Sequence, residues 1–159
     1  KRVRIKTNQG DILVELDHEK GPCAASNFLS LAKAGFYDGT IFHRLIPGFM
    51  IQGGDPLTKD DAQAARWGTG GPGYAFDDEL RANNKNDIGT IAMANSGPNT
   101  NGSQFFINVA NNNFLDGKHT VFVRVRRGMD IVTAIENEAT GENDRPVSPM
   151  VVESVTVSP

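Results

Sequence analysis

Apolar and polar residues alternate with period two near the start of the chain, and this pattern restricts the fold more than any other. Val3 and Ile5 stand between basic residues, and after a turn at residues 8–11 a second alternating run contains Ile12, Val14 and Leu16. Such alternation is typical of antiparallel strands with one buried face, so the segment predicts a β-hairpin. Further strands are predicted at residues 41–44, 50–53, 89–94, 104–109, 120–126 and 150–157.

Helical spacing of apolar residues is found in two segments. Pro22 suits the first turn of a helix, apolar residues recur at helical spacing as far as Ala32, and Gly35 is placed to end it. A second helix is predicted over residues 129–137. Many short strands with two helices predict an antiparallel barrel or sandwich. The region 55–87 is rich in glycine, asparagine and charge, which predicts long surface loops.

The composition fits one compact globular domain spanning residues 1–159. The chain is 38% hydrophobic and 22% charged, and no apolar run approaches the ~20 residues of a membrane-spanning helix. A net charge of −3 gives no electrostatic footprint for nucleic acid, so neither nucleic acid nor membrane is an expected partner. The first residue is Lys1, so a methionine, a signal peptide or another domain is expected upstream.

Cysteine usage bears on the compartment. Cys23 is the only cysteine and has no internal disulfide partner, which favours a reducing, cytoplasmic location. Export to the periplasm or beyond, after removal of a signal peptide, is the alternative. Cys23 stands near a predicted helix start, where a thiol can become reactive, but we expect it to be packed and inert.

Two segments, 42–55 and 93–106, place one arginine and several neutral amides among exposed-looking apolar residues, and a third segment, 114–119, adds a histidine. A site built from these groups has donors for peptide carbonyls and an apolar floor for a ring. It has no nucleophile beside a base. The segments therefore favour a site that holds and polarises a peptide over one that cleaves it.

These segments are similar to those of cyclophilins, which are peptidyl-prolyl cis-trans isomerases. The similarity follows the family's order through residues 36–44, 46–55, 68–71, 93–106 and 115–122. It implies a mainly β fold: an eight-stranded antiparallel closed barrel capped by two α-helices, with the active groove on its outer face. It also implies an enzyme that accelerates rotation about Xaa-Pro bonds and assists protein folding.

The resemblance also implies roles for individual residues. Arg44 matches the catalytic arginine, which stabilises the twisted amide over an apolar proline pocket. The residues that match substrate-binding positions are Phe49, Met50, Gln52, Ala94, Asn95, Gln104, Phe106, Phe114, Leu115 and His119. The expected partners are proline-containing peptides and unfolded or partly folded proteins, and the expected state is a monomer. No cofactor or metal is expected, since the three histidines lack metal-ligand spacing.

Some features depart from the family pattern or have a structural interpretation. Phe114 stands where many cyclophilins carry tryptophan, so an indole N–H donor is missing and only weak cyclosporin binding is expected. Residues 57–67 form a longer segment of open role. His43 is expected to be structural, and Phe105 to lie in the core, because it has the opposite strand parity to Phe106.

Two alternatives to an active isomerase follow from the same residues. A cyclophilin-fold binding module without turnover is one, and an unrelated small β-barrel that binds a ligand is another. Residues 68–73 also satisfy the G-x-G-x-x-G pattern of dinucleotide sites. No apolar strand precedes that pattern and no clear helix follows it, so dinucleotide binding is disfavoured.

Overall fold

The computed structural model describes residues 1–158, and eight strands within them form one antiparallel sheet. The strands are β1 (Arg2–Thr7), β2 (Gly10–Leu16), β3 (Arg44–Ile46), β4 (Met50–Gly53), β5 (Thr90–Met93), β6 (Phe105–Asn108), β7 (Val121–Arg127) and β8 (Val152–Val157). Their order across the sheet is β3-β4-β6-β5-β7-β2-β1-β8. The two helices are α1 (Pro22–Lys33) and α2 (Met129–Glu136). The predicted mainly β fold of eight antiparallel strands with two helices is confirmed.

Closure of the barrel is less complete than predicted. The edge strands β3 and β8 do not pair along their lengths; the segments just before them meet at a single bridge between Ile41 and Val151. The Phe42 N–H donates to the Met150 carbonyl at 2.9 Å beside that bridge. The predicted strand at 41–44 is wrong in its bounds for this reason: residues 41 and 42 close the barrel, and β3 begins only at Arg44.

Helix α1 begins where predicted and draws its N-terminal cap from a distant loop. Pro22 occupies the first turn, where no N–H is needed. The carboxylate of Glu79 accepts from the N–H groups of Cys23 and Ala24 at 3.1 and 2.9 Å, which satisfies two of the helix's unpaired donors. Cys23 is exposed, so the prediction of a packed thiol was wrong. The helix ends before Gly35, which has a φ of +72°.

The barrel interior is filled by aliphatic side chains and a cluster of aromatic rings. Phe28 of α1 lies 5.1 Å from Tyr37 and 5.6 Å from Phe105, measured between ring centroids. Phe105 is 1% exposed, which confirms its predicted place in the core. Helix α2 covers one side of β2, and Gly128 before it has no room for a side chain, because a Cβ there would lie 2.6 Å from the Asp11 carbonyl oxygen.

The predicted loop region 55–87 contains two short 3₁₀ helices, Pro56–Lys59 and Asp61–Arg66, that were not predicted. Contacts of Trp67 hold this segment in place. The indole N–H of Trp67 donates to the Leu57 carbonyl at 2.9 Å, and the guanidinium of Arg145 stacks 5.0 Å from the Trp67 ring centre. Within residues 1–158, no helix has the length and apolar character required to traverse a bilayer.

Candidate active site

A row of side chains crosses five neighbouring strands on the outer face of the barrel. The ladders pair Arg44 with Gln52, Gln52 with Phe106, Phe106 with Ala92, and Ala92 with Val121. Side chains of paired residues point to the same side of a sheet. The pairing therefore brings residues far apart in the sequence onto one surface, with the arginine at its edge.

A pocket of about 170 Å³ lies on this row. Its lining consists of Arg44, Phe49, Met50, Gln52, Ala94, Asn95, Phe106, Leu115 and His119. The floor is a small hydrophobic cluster, separate from the barrel core, that includes Met50 and Phe106. The volume is below the ~300–1,000 Å³ typical of sites for drug-sized ligands, so the pocket suits a single small ring.

Arg44 is the only permanently charged residue in this lining. Its side chain is exposed, and within residues 1–158 no acceptor lies within hydrogen-bonding distance of the guanidinium. A guanidinium carries five N–H donors in a fixed planar arrangement. The site therefore presents unused donors at the rim of an apolar pocket.

His119 forms one wall of the pocket, and its hydrogen bonds select one tautomer of the ring. Its Nδ1 lies 2.9 Å from the Met93 carbonyl oxygen, which can only accept, so Nδ1 carries the proton. The contact of 3.3 Å between Nδ1 and the Asn95 amide nitrogen is then a contact between two donors. The Asn95 amide instead donates to the Lys118 carbonyl at 2.8 Å. The His119 ring stands edge-on to Phe106, with 5.3 Å between centroids.

Gln52 and Gln104 connect the pocket to the neighbouring loop. Gln52 Nε2 donates to Gln104 Oε1 at 3.0 Å, and Gln104 Nε2 donates to the Gly70 carbonyl at 2.9 Å.

The loop that contains Gly70 is held by Asp55, whose fully buried carboxylate accepts from the N–H groups of Leu57, Gly68 and Gly70. Sequence reasoning assigned no such role to Asp55. Its position two residues after the end of the buried strand β4 was the available signal.

The backbone of residues 94–95 is positioned along the groove beside the pocket. The Ala94 N–H donates to the Gln104 carbonyl at 3.0 Å. The N–H and C=O of the next residue, Asn95, have no partner within residues 1–158. Because backbone polar groups require hydrogen bonds, these two can serve a bound peptide backbone.

The structure brings together all but two of the predicted site residues in the lining of one pocket. Gln104 lines the adjacent pocket, of about 200 Å³, and contacts the first through Gln52. Phe114 lies outside both linings: it is 67% exposed, and its ring stacks on Phe49 with 5.7 Å between centroids. It supports a wall of the pocket from outside.

His43, next to Arg44 in the chain, faces the opposite way and is 5% exposed. Burial lowers its pKa from 6.5 to about 4, because desolvation disfavours the charged ring more than the nearby Asp55 favours it. Its Nδ1 has no partner among the described residues. His43 is therefore neutral at physiological pH. Its position away from the groove agrees with the expected structural role.

Comparison with known proteins decides the family. The sequence model of the cyclophilin type peptidyl-prolyl cis-trans isomerase/CLD family matches residues 2–157. The chain belongs to this family. This match confirms the predicted family and the predicted cyclophilin fold. It also confirms the predicted class of activity, peptidyl-prolyl cis-trans isomerisation.

Two relatives, one of similar length and one much longer, carry the same activity in their names. The chain is 45% identical to peptidyl-prolyl cis-trans isomerase CYP18-1 of Arabidopsis thaliana over 98% of this chain and 94% of that one. It is 48% identical to peptidyl-prolyl cis-trans isomerase 9 of Schizosaccharomyces pombe over 96% of this chain, yet it spans only 24% of that longer protein. The same cyclophilin domain thus occurs both alone and within longer chains.

Solved structures agree with the sequence comparison. A cyclophilin type peptidyl-prolyl cis-trans isomerase of Cryptosporidium parvum, crystallised in the presence of the dipeptide Ala-Pro, superimposes with a TM-score of 0.90 at 36% identity. The match covers 100% of this chain and 99% of that one. In this cyclophilin, residues 1–158 contain no cluster of His, Cys, Asp and Glu that could hold a metal ion. Independence from metals and cofactors stays a prediction.

Proposed function

We propose that this cyclophilin isomerises Xaa-Pro bonds through Arg44, which donates a hydrogen bond to the prolyl nitrogen of the twisted amide. The planar amide resists rotation with a barrier of about 18–20 kcal/mol, because the nitrogen lone pair is delocalised into the carbonyl. When the bond twists, the lone pair returns to nitrogen and can accept a hydrogen bond. A donor that bonds only this state lowers the barrier.

The single observation that supports this role is the placement of unpaired guanidinium donors at the rim of a ring-sized apolar pocket. The proline ring is held between walls formed by Phe49, Leu115 and His119, above the floor of Met50 and Phe106. A ring held in this way leaves its nitrogen accessible to a side chain on the rim. Because no covalent bond is broken, the absence of a nucleophile from the lining agrees with the reaction.

The rest of the groove binds the peptide backbone. The amides of Gln52 and Gln104 and the open backbone groups of Asn95 are the available partners, and Ala94 lines the groove between them. Anchoring on both sides of the bond places the amide against the arginine, which contributes through orientation. Backbone groups and one ring are common to all proline-containing segments. The proposed substrates are therefore unfolded or partly folded proteins.

A refolding experiment tests this substrate class. The cyclophilin is added to a denatured protein whose slow refolding phase is limited by Xaa-Pro isomerisation, which takes tens to hundreds of seconds without catalyst. We expect the slow phase to accelerate in proportion to enzyme concentration. A short Ala-Pro peptide assayed by magnetisation exchange separates the alternatives: tight binding without faster exchange would indicate a binding module. The monomeric state, the cytoplasmic location and the single domain over residues 1–159 stay predictions.

A further inference from the structure

Three buried asparagines lie behind the proline pocket and have no part in the proposed chemistry. Asn86 and Asn108 are fully buried, and Asn112 is 4% exposed. Burial of an amide is unfavourable unless its donors and acceptors are hydrogen-bonded. Three such amides in mutual contact therefore depend on the hydrogen bonds that they form.

Hydrogen bonds run through these asparagines from one pocket wall to another. Asn112 Nδ2 donates to the Phe49 carbonyl and to Asn108 Oδ1, both at 2.8 Å. Asn108 Nδ2 donates to Asn86 Oδ1 at 3.1 Å. Asn86 Nδ2 then donates to the His119 carbonyl at 3.3 Å. Phe49 and His119, which lie on separate segments of the pocket lining, are thus joined by four consecutive hydrogen bonds.

The wall at Leu115 is attached to the same chain of bonds. The Leu115 N–H donates to the Asn112 carbonyl at 2.9 Å, and the Asn112 N–H donates to the Asn86 carbonyl at 2.8 Å. Each of the three walls is therefore fixed through its main chain, next to the side chain that faces the pocket. We call Asn86, Asn108 and Asn112 the asparagine network.

The asparagine network is also fixed to the pocket floor. Asn108 ends β6 two residues after Phe106, so both side chains lie on the outer face of the sheet. Across the ladder Asn108 pairs with Met50, the other floor residue. Its amide also donates to Thr90 Oγ1 on β5 at 3.0 Å. The network therefore joins the walls to the rigid sheet and not only to one another.

We propose that the asparagine network sets the width of the proline pocket and thereby its selectivity for a five-membered ring. This inference rests on the proposed function, because it takes the pocket to be the proline site. Hydrogen bonds have narrow ranges of length and angle, and a fully bonded buried network restricts motion more than apolar contacts do. With the network in place, the walls cannot separate to admit a larger ring.

The test compares two substrates that differ by one methylene. A peptide with Ala-Pro and the same peptide with pipecolate, the six-membered homologue of proline, are assayed for kcat/KM in the same isomerisation experiment. One extra methylene in a fitted apolar pocket changes specificity by about tenfold or more. We expect the wild-type protein to favour proline by at least that factor.

The variants Asn112→Leu and Asn108→Leu/Asn112→Leu remove the hydrogen bond from Asn112 to the Phe49 carbonyl while keeping a similar side-chain volume. The double variant removes both partners of one bond, which disturbs folding less than stranding one of them. We expect the proline-to-pipecolate ratio to fall at least threefold, mainly through a lower KM for the pipecolate peptide, because walls that can separate admit the larger ring. Ile5→Ala, in the barrel interior and remote from the pocket, is the control for lost stability: it should lower Tm and leave the ratio unchanged.

A milder variant decides the question if the leucine variants do not fold. Thr90→Val removes one bond from Asn108 without a change of shape, and the ratio should fall by at least about 1.5-fold. An unchanged ratio in the folded variants, or a wild-type protein that accepts pipecolate as readily as proline, would overturn the inference. Arg44→Ala separates the two proposals: if it loses turnover while the asparagine variants keep the wild-type ratio, only the role of the network is wrong.

Discussion

Replacement of Arg44 by alanine should remove most of the catalysis and little of the stability. The side chain is exposed and makes no hydrogen bond or ion pair within the described part of the chain, so the change in unfolding free energy should stay within about 0.5 kcal/mol. The donors it removes act on the twisted amide alone. Loss of one preorganised donor to a transition state lowers kcat by about 10²–10³, or about 2.7–4 kcal/mol.

The assay is magnetisation exchange on an Ala-Pro peptide, which reports rotation about the bond without a coupled protease. Peptide affinity measured in the same titration should change little, because the ring pocket keeps its walls and its floor. Arg44→Lys should recover only part of the rate, since an ammonium group does not reproduce the planar guanidinium. Arg126→Ala, an exposed arginine on β7 away from the groove, is the matched control and should keep wild-type turnover.

Two results would contradict this reasoning. Turnover within about threefold of wild type in a folded Arg44→Ala protein would show that the arginine does not stabilise the twisted amide. A loss that arises wholly from weaker peptide binding would instead make Arg44 a ground-state contact.

Three further predictions concern the pH dependence of activity, the pH dependence of stability and the exposed Phe114. Because the reaction transfers no proton, kcat/KM should be nearly flat over about pH 6–8, and a bell-shaped profile would indicate acid–base chemistry. His43 has a folded pKa of about 4, below its unfolded value of 6.5, so its neutral form stabilises the fold above pH 6.5, and this contribution is lost as pH falls towards 4. The loss of unfolding free energy is at most about 3 kcal/mol. Denaturant titrations at several pH values measure it, and the unfolding free energy of His43→Gln should fall less than that of wild type over the same pH range. Phe114→Trp restores an indole donor, so cyclosporin should inhibit the variant roughly three- to tenfold more tightly while peptide turnover changes little. Equal inhibition constants for the two proteins would reject this account of Phe114.

The sequence predicted those parts of the molecule that depend on local patterns. The hairpin and both helices follow from periodicity, and strand parity alone separates Phe105 in the core from Phe106 in the groove. The resemblance to cyclophilins supplied the residues of the pocket, which periodicity could not bring together. Their convergence depends on ladder register, and register joins residues that are distant in the chain.

What the sequence did not predict depends on long-range contacts. Asn86 and Asn112 stand in segments whose composition is typical of exposed loops, yet both are buried, because their partners come from elsewhere in the chain. Cys23 is exposed since its helix turns that position outward and a distant Glu79 caps the N-terminus. The exposure of Phe114 likewise depends on the conformation of the loop after β6, which neither the periodicity of apolar residues nor secondary-structure propensity predicts.

The row of paired residues from Arg44 to Val121 also limits how the chain can change in length. A single residue inserted into β6 would exchange Phe105 and Phe106 between the interior and the groove, so the site and the core would be lost together. Insertions in the loops do not shift the register of the ladder. Variation in length is therefore tolerated around the groove, at its outer rim and adjacent pocket, where it can alter which peptides enter. The position of the arginine relative to the proline ring is unaffected by such changes.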